Sequence, residues 1–170
     1  MLSRLFYISI ITMLLPVFFS CSKEEEVRQP ENIMGIWSPD DSTYLEFTTN
    51  NSVYHLTIEQ QDGESIGLWV RDVYYYEPGY DLVIYLTAGH DADVYQIVEM
   101  TADRLTWCWV KNIDITDMGS TDAVGHLIGE IINEAQEGFK LNPELYQSFT
   151  RISEDRFFSI IESLDIDYPW

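Results

Sequence analysis

The sequence predicts a mainly β chain: an antiparallel meander closing into a barrel, with a helical insertion before the last strand and a C-terminal helix. Three observations carry this. Apolar and polar residues alternate at period two from 33 to about 112, broken at short intervals by turn residues. From 121 to 138 the apolar period becomes that of a helix. Ser153 then precedes two acidic residues and an apolar stripe, the pattern of a capped helix start.

In chain order, Met34-Gly35-Ile36-Trp37 opens the first strand. Residues 43–48 set Leu45 and Phe47 against Tyr44 and Glu46, and Asn50-Asn51 turns the chain. Residues 53–59 set Tyr54, Leu56 and Ile58 against His55, Thr57 and Glu59. Asp62-Gly63 is a two-residue hairpin signal, because both residues tolerate positive φ. Residues 66–76 form a long strand with Trp69 and the run Tyr74-Tyr75-Tyr76, and Pro78-Gly79 ends it. Residues 80–87 place Leu82, Ile84 and Leu86 on one face, and Gly89-His90-Asp91 turns the chain again. Residues 94–101 and 105–111 follow. On the latter, Trp107 and Trp109 share a face with Leu105, while Cys108 points the other way as a small buried hydrophobe.

The helical insertion lines up Val124, Leu127, Ile128, Ile131, Ile132 and Ala135 in one stripe. Ser120, Thr121 or Asp122 can cap its start, and Gly138 suits the left-handed residue past its end. Gly125 and Gly129 lie beside the stripe. A helical glycine costs roughly 1 kcal/mol relative to alanine, which points to close packing there. The stripe is expected to pack on the outside of the sheet; the alternative is a lid over the barrel mouth. Asn142-Pro143-Glu144 starts a short helical turn, the last strand lies near 148–152, and Phe157, Ile160, Ile161 and Leu164 share one face of the final helix.

Strands joined by short turns make a meander, and closing it removes the exposed edges an open sheet would keep. Gly35-x-Trp37 at the head of such a meander resembles the first signature of the lipocalin and lipocalin-like families. The likeness covers 33–112 and the last strand. It implies that Trp37 closes the barrel bottom and that a late arginine, here Arg151, covers it. A barrel of about eight strands has an interior that side chains fill or that holds one small ligand. Trp69, Tyr85, Trp107 and Trp109 are the candidates to line such a pocket; the alternative is that they fill the core.

The N-terminus carries a different message. Arg4 precedes an apolar run from 5 to 19, shorter than the roughly 20 residues of a membrane-spanning helix and suited to a signal peptide. Ser20-Cys21 at its end resembles the lipobox of bacterial lipoproteins, which implies diacylglycerol on the Cys21 thiol and cleavage before it. Lys23-Glu24-Glu25-Glu26 resembles the surface-export signal of some Gram-negative lipoproteins; it also reads as a solvated tether. The expected organisation is therefore a signal peptide at 1–20, a lipidated cysteine and flexible tether at 21–32, and the barrel domain at 33–170. The whole resembles a bacterial lipocalin-like domain lipoprotein. Outer-membrane attachment through lipid is expected, facing the cell surface or the periplasm.

Charge excludes some partners. The chain has 9 Lys+Arg against 29 Asp+Glu, a formal charge of -20, which repels nucleic acid and anionic bilayers. With Cys21 assigned to lipid, Cys108 has no partner for an internal disulfide. His55, His90 and His126 do not stand at metal-ligand spacing. Asp91-Ala92-Asp93 and Asp114-x-x-Asp117 lack the continuation of a calcium loop. No nucleophile elbow, phosphate loop or dinucleotide fingerprint is present. Glu46, Glu59 and Glu99 sit on strands, where an inward carboxylate pair is the less common outcome. A non-enzymatic monomer without cofactor or metal is expected, binding a small apolar, aromatic or sugar ligand in the barrel mouth. The alternative is a non-catalytic interaction module of a cell-envelope complex.

Overall fold

The computed structural model describes residues 32–87, 90–118 and 120–168. Cys21, the apolar run 5–19 expected as a signal peptide, and all but residue 32 of the segment 21–32 expected as a tether lie outside the described residues. Residues Glu31–Trp170 fold as one unit.

Eight strands run in chain order: β1 (Gly35–Ser38), β2 (Thr43–Phe47), β3 (Ser52–Gln61), β4 (Glu64–Glu77), β5 (Leu82–Thr87), β6 (Asp91–Met100), β7 (Arg104–Asp114) and β8 (Tyr146–Ile152). Each pairs antiparallel with the next, and β8 returns to β1 through Ile36↔Ile152 and Trp37↔Arg151. The sheet is a closed up-and-down barrel, consistent with the lipocalin-like fold. Asp62 and Gly63 turn the β3–β4 hairpin at φ 54° and 87°, as a hairpin of this length requires. Two bulges re-aim β6 and β7. The registers Val94↔Lys111 and Tyr95↔Trp109 leave Val110 as an extra residue, and Ile97↔Trp107 with Glu99↔Thr106 does the same for Val98.

Alternation names two faces of a strand without saying which points in. In β2 the inner face holds Leu45 and Phe47; in β3 it holds Val53 and His55. The apolar face Leu56–Ile58 of β3 is the outer one. It is buried because helix α2 (Glu154–Ser163) lies over it and packs Phe157 and Ile161 against Ile36, Tyr44, Leu56 and Ile152. Likewise Leu82 and Ile84 of β5 face outward under helix α1 (Thr121–Glu137), which seats Leu127 and Ile131 on them. Helix α1 is thus a packing element on the barrel's outside. Its cap is Ser120, whose side chain accepts from the Ala123 amide, and Gly138 ends it at φ 89°. The close packing expected at Gly125 and Gly129 is absent: a Cβ built at either meets nothing within 4 Å. Both glycines lie on the exposed flank of the helix, which the stripe alone did not reveal.

The barrel has one closed end. There the Trp37 indole donates to the Ile33 carbonyl at 2.7 Å, and the Arg151 guanidinium lies 4.7 Å from the Trp37 ring centroid. Such a stacked cation is worth about 0.5 to 2 kcal/mol. Arg151 also donates to the carbonyls of Asn32 and Met34. Gly35 is at φ 119°, and a Cβ there would come within 3.2 Å of the arginine, so conformation and space both favour glycine.

At the other end β3 and β4 outrun their neighbours. Pairing of β3 with β4 continues to Gln61↔Glu64, whereas β2 meets β3 only as far as Thr57 and β5 meets β4 only as far as Val73. A two-stranded ribbon therefore projects past the mouth. The tail after α2 straps its outer face: Ile166 sits over Gly67, and Tyr168 packs edge-on against Trp69 at 5.5 Å. Ile66, Leu68 and Val70, on the other face, are 36%, 47% and 50% exposed.

Candidate functional site

The inner residues of the mouth half enclose a cavity of about 450 Å³. Its floor is aromatic. Trp107, buried at the centre, lies 4.6 Å from Phe149, 4.8 Å from Tyr95 and 5.8 Å from Tyr85, mostly edge to face. The Trp107 indole is fixed by donating to Gln147 Oε1 at 3.1 Å. Leu45 and Val53 complete the apolar wall.

Polar groups enter on β3, β4, β5 and β6. His55 stands opposite Leu45 on one side and Val70 on the other; Asp72 stands opposite Val53. The two are diagonal neighbours on one face, a relation within side-chain reach. Tyr85 is flanked in register by Tyr74 and Asp93. His55 Nε2 and the Tyr85 hydroxyl are shielded from solvent and have no hydrogen-bond partner among the described residues. Asp93 accepts from the Trp109 indole at 3.1 Å and from the Asn112 amide at 3.0 Å. Thr43, Thr87 and Gln147 add hydroxyl and amide groups.

Burial sets the charge states. It pushes the His55 imidazole below its ordinary value, against a smaller opposing pull from Asp72, so the ring is neutral at pH 7. It pushes the Tyr85 phenol well above the usual range, with Tyr95 and Asp72 adding to the shift. Tyr95 is pushed up to about 12, by burial first and Asp93 second. Both phenols therefore keep their protons.

The four residues expected to line a pocket divide. Tyr85 and Trp107 line the cavity. Trp109 stands at the rim, 37% exposed, beside a shallow recess walled by Tyr95, Leu145 and Tyr146. Trp69 is a correction: it faces outward, donates to the Asp167 carbonyl at 3.0 Å and packs edge-on against Phe157. In β4 the even positions Asp72, Tyr74 and Tyr76 face in, so the odd Trp69 faces α2 and the tail. Gly35, Trp37 and Arg151 meet at the closed end. Glu46, Glu59 and Glu99 do not converge. Glu46 accepts from the Tyr168 hydroxyl on the outer face, Glu99 lies 3.6 Å from Arg104, and Glu59 is on the projecting ribbon. His126 is exposed on α1, 3.5 Å from Glu130, and His90 lies in the turn before β6. Among the described residues no three His, Cys, Asp or Glu side chains converge as a metal site.

Sequence reasoning did not select His55, Asp72 or Tyr95 as site residues. The signal for Asp72 was present: a lone aspartate two residues before Tyr74, sharing its face with an aromatic run, is costly unless that face lines a cavity. No protein-family model, curated protein or solved structure matches this chain significantly.

Proposed function

We propose that this chain is a lipid-anchored, lipocalin-like binding protein of the outer membrane, which holds one small ring-bearing molecule in its barrel mouth and performs no catalysis. One observation supports this above others: the cavity is open to a guest, floored by aromatic faces, and carries two buried polar groups without partners among the described residues, His55 Nε2 and the Tyr85 hydroxyl. A buried polar atom left unpaired costs about 1 to 3 kcal/mol, which a ligand group of the right shape recovers. Its size falls within the usual range of small-molecule sites. The anchor rests on the Ser20-Cys21 pattern and the apolar run before it.

A second reading has its own observation. Ile66, Leu68 and Val70 form an uncovered apolar row at the mouth, which suits docking to another envelope protein. Mass spectrometry of the full chain purified from its own host separates the two. Under denaturing conditions the chain is expected to begin at Cys21 with a diacylglycerol thioether. Under native conditions one reproducible small mass is expected with it. An unlipidated N-terminus overturns the anchor. A protein adduct without any small mass overturns ligand binding in favour of docking.

A further inference from the structure

The chemistry of the cavity wall narrows the ligand class, on the premise that the cavity binds a ligand at all. Its carboxylates are Asp72 and Asp93, and among the described residues none of the lining side chains is Lys or Arg. The other polar groups can accept hydrogen bonds: the ring nitrogen Nε2 of His55 in the tautomer that carries its proton on Nδ1, the hydroxyl oxygen of Tyr85, and the Thr43 and Thr87 hydroxyls. Around them stand the rings of Trp107, Tyr95, Tyr85 and Phe149. We propose that the cavity selects a compact organic cation, an amine whose ammonium sits among Asp72, His55 and Tyr85 while its apolar body lies on the Trp107 and Tyr95 rings.

Each alternative meets an obstacle. An anionic guest, such as a carboxylate, would enter a wall with two acids and, among the described residues, no Lys or Arg to receive it. A wholly apolar guest would offer nothing to His55 Nε2 and the Tyr85 hydroxyl, which would stay buried and unpaired at a cost. An ammonium brings only donors, which match this acceptor-rich wall, and a desolvated cation is attracted to aromatic faces. Neutral His55 does not repel it, since burial holds the imidazole below its ordinary value. At larger distance the net charge of -20 raises the local concentration of cations and lowers that of anions. The unpartnered Tyr85 hydroxyl is independent of the acids, and it too asks for a ligand group.

The test uses the full chain in detergent and three probes of nearly equal shape: 2-phenylethylamine, 2-phenylethanol and 3-phenylpropanoate. Binding is read by calorimetry and by quenching of Trp107 emission, and N-phenyl-1-naphthylamine serves as a neutral probe of the cavity. The amine is expected to bind at least tenfold more tightly than the alcohol, and the carboxylate least of all. The preference should shrink at high salt and vanish in Asp72→Asn, with Asp93→Asn as the second variant should the first fail to fold. Alcohol or carboxylate binding as tightly as the amine overturns the cation proposal and leaves ligand binding standing. So does binding of the naphthylamine probe alone. Failure of all four probes to bind overturns both readings.

Discussion

His55 carries an imidazole into the barrel between Leu45 and Val70, with Asp72 diagonal to it and Tyr85 sharing the cavity. Its titration leaves a mark on stability. Unfolded, the ring titrates near the ordinary value of 6.5; folded, burial lowers that value and Asp72 only partly restores it. Below 6.5 the unfolded chain therefore binds a proton that the folded chain refuses. The contribution of neutral His55 is complete above 6.5 and is lost as pH falls through the window beneath it. Denaturant midpoints measured between pH 7.5 and 5 are expected to fall with pH in the native chain. In His55→Gln the fall should be shallower, and equal slopes would remove His55 as the cause. The residue was legible in the sequence only as one of a polar alternating set. What hid it is that β3 buries both faces, so its polar side passes for the wet one.

At the scale of elements, two glycines on covered and uncovered surfaces behave oppositely. Gly67 lies beneath the tail, and a Cβ there would come within 2.5 Å of Ile166 Cγ2. Gly67→Ala is expected to lift the tail and cost about 1 to 3 kcal/mol in denaturant unfolding. It should also shift Trp69 emission to the red, as the indole loses the Asp167 carbonyl. Gly125 in α1 has open space around it, so Gly125→Ala should stabilise by about 0.5 to 1 kcal/mol through helix propensity alone. The existence, order and turn chemistry of these elements were readable from periodicity, caps and the Asp62-Gly63 pair. The direction a face points was not, because that depends on which distant helix arrives to cover it. Trp69 shows this directly. Its partners Phe157 and Tyr168 lie about a hundred residues away, and no local pattern in β4 names them.

For the molecule as a whole, one wall separates three apolar clusters: the interior, the layer under α1 and the layer under α2. A strand such as β3 contributes Val53 to the first and Leu56 to the third, so the clusters share backbone and cannot come apart independently. Phe157→Ala removes a ring 1% exposed beneath α2 and is expected to cost about 3 to 5 kcal/mol. The shared wall predicts that the interior, followed by Trp107 near-UV dichroism, melts at the same lowered denaturant concentration as the helices followed in the far-UV. Two separated transitions would show that the layers are autonomous. The barrel itself was legible because short turns and alternation leave few other topologies. The aromatic and acidic character of its cavity was not, since it arises only where β3 to β8 bring separated residues to one depth.

The sealed end of the barrel sets a direction. Asn32 and Met34 present their carbonyls to Arg151 there, beneath the Trp37 plug, so the polypeptide enters the domain at the pole opposite the opening. Among the described residues, the aromatic cavity therefore opens at the pole farthest from where Asn32 joins the wall, and the first and last turns of chain around Trp37 act as the stopper of the barrel.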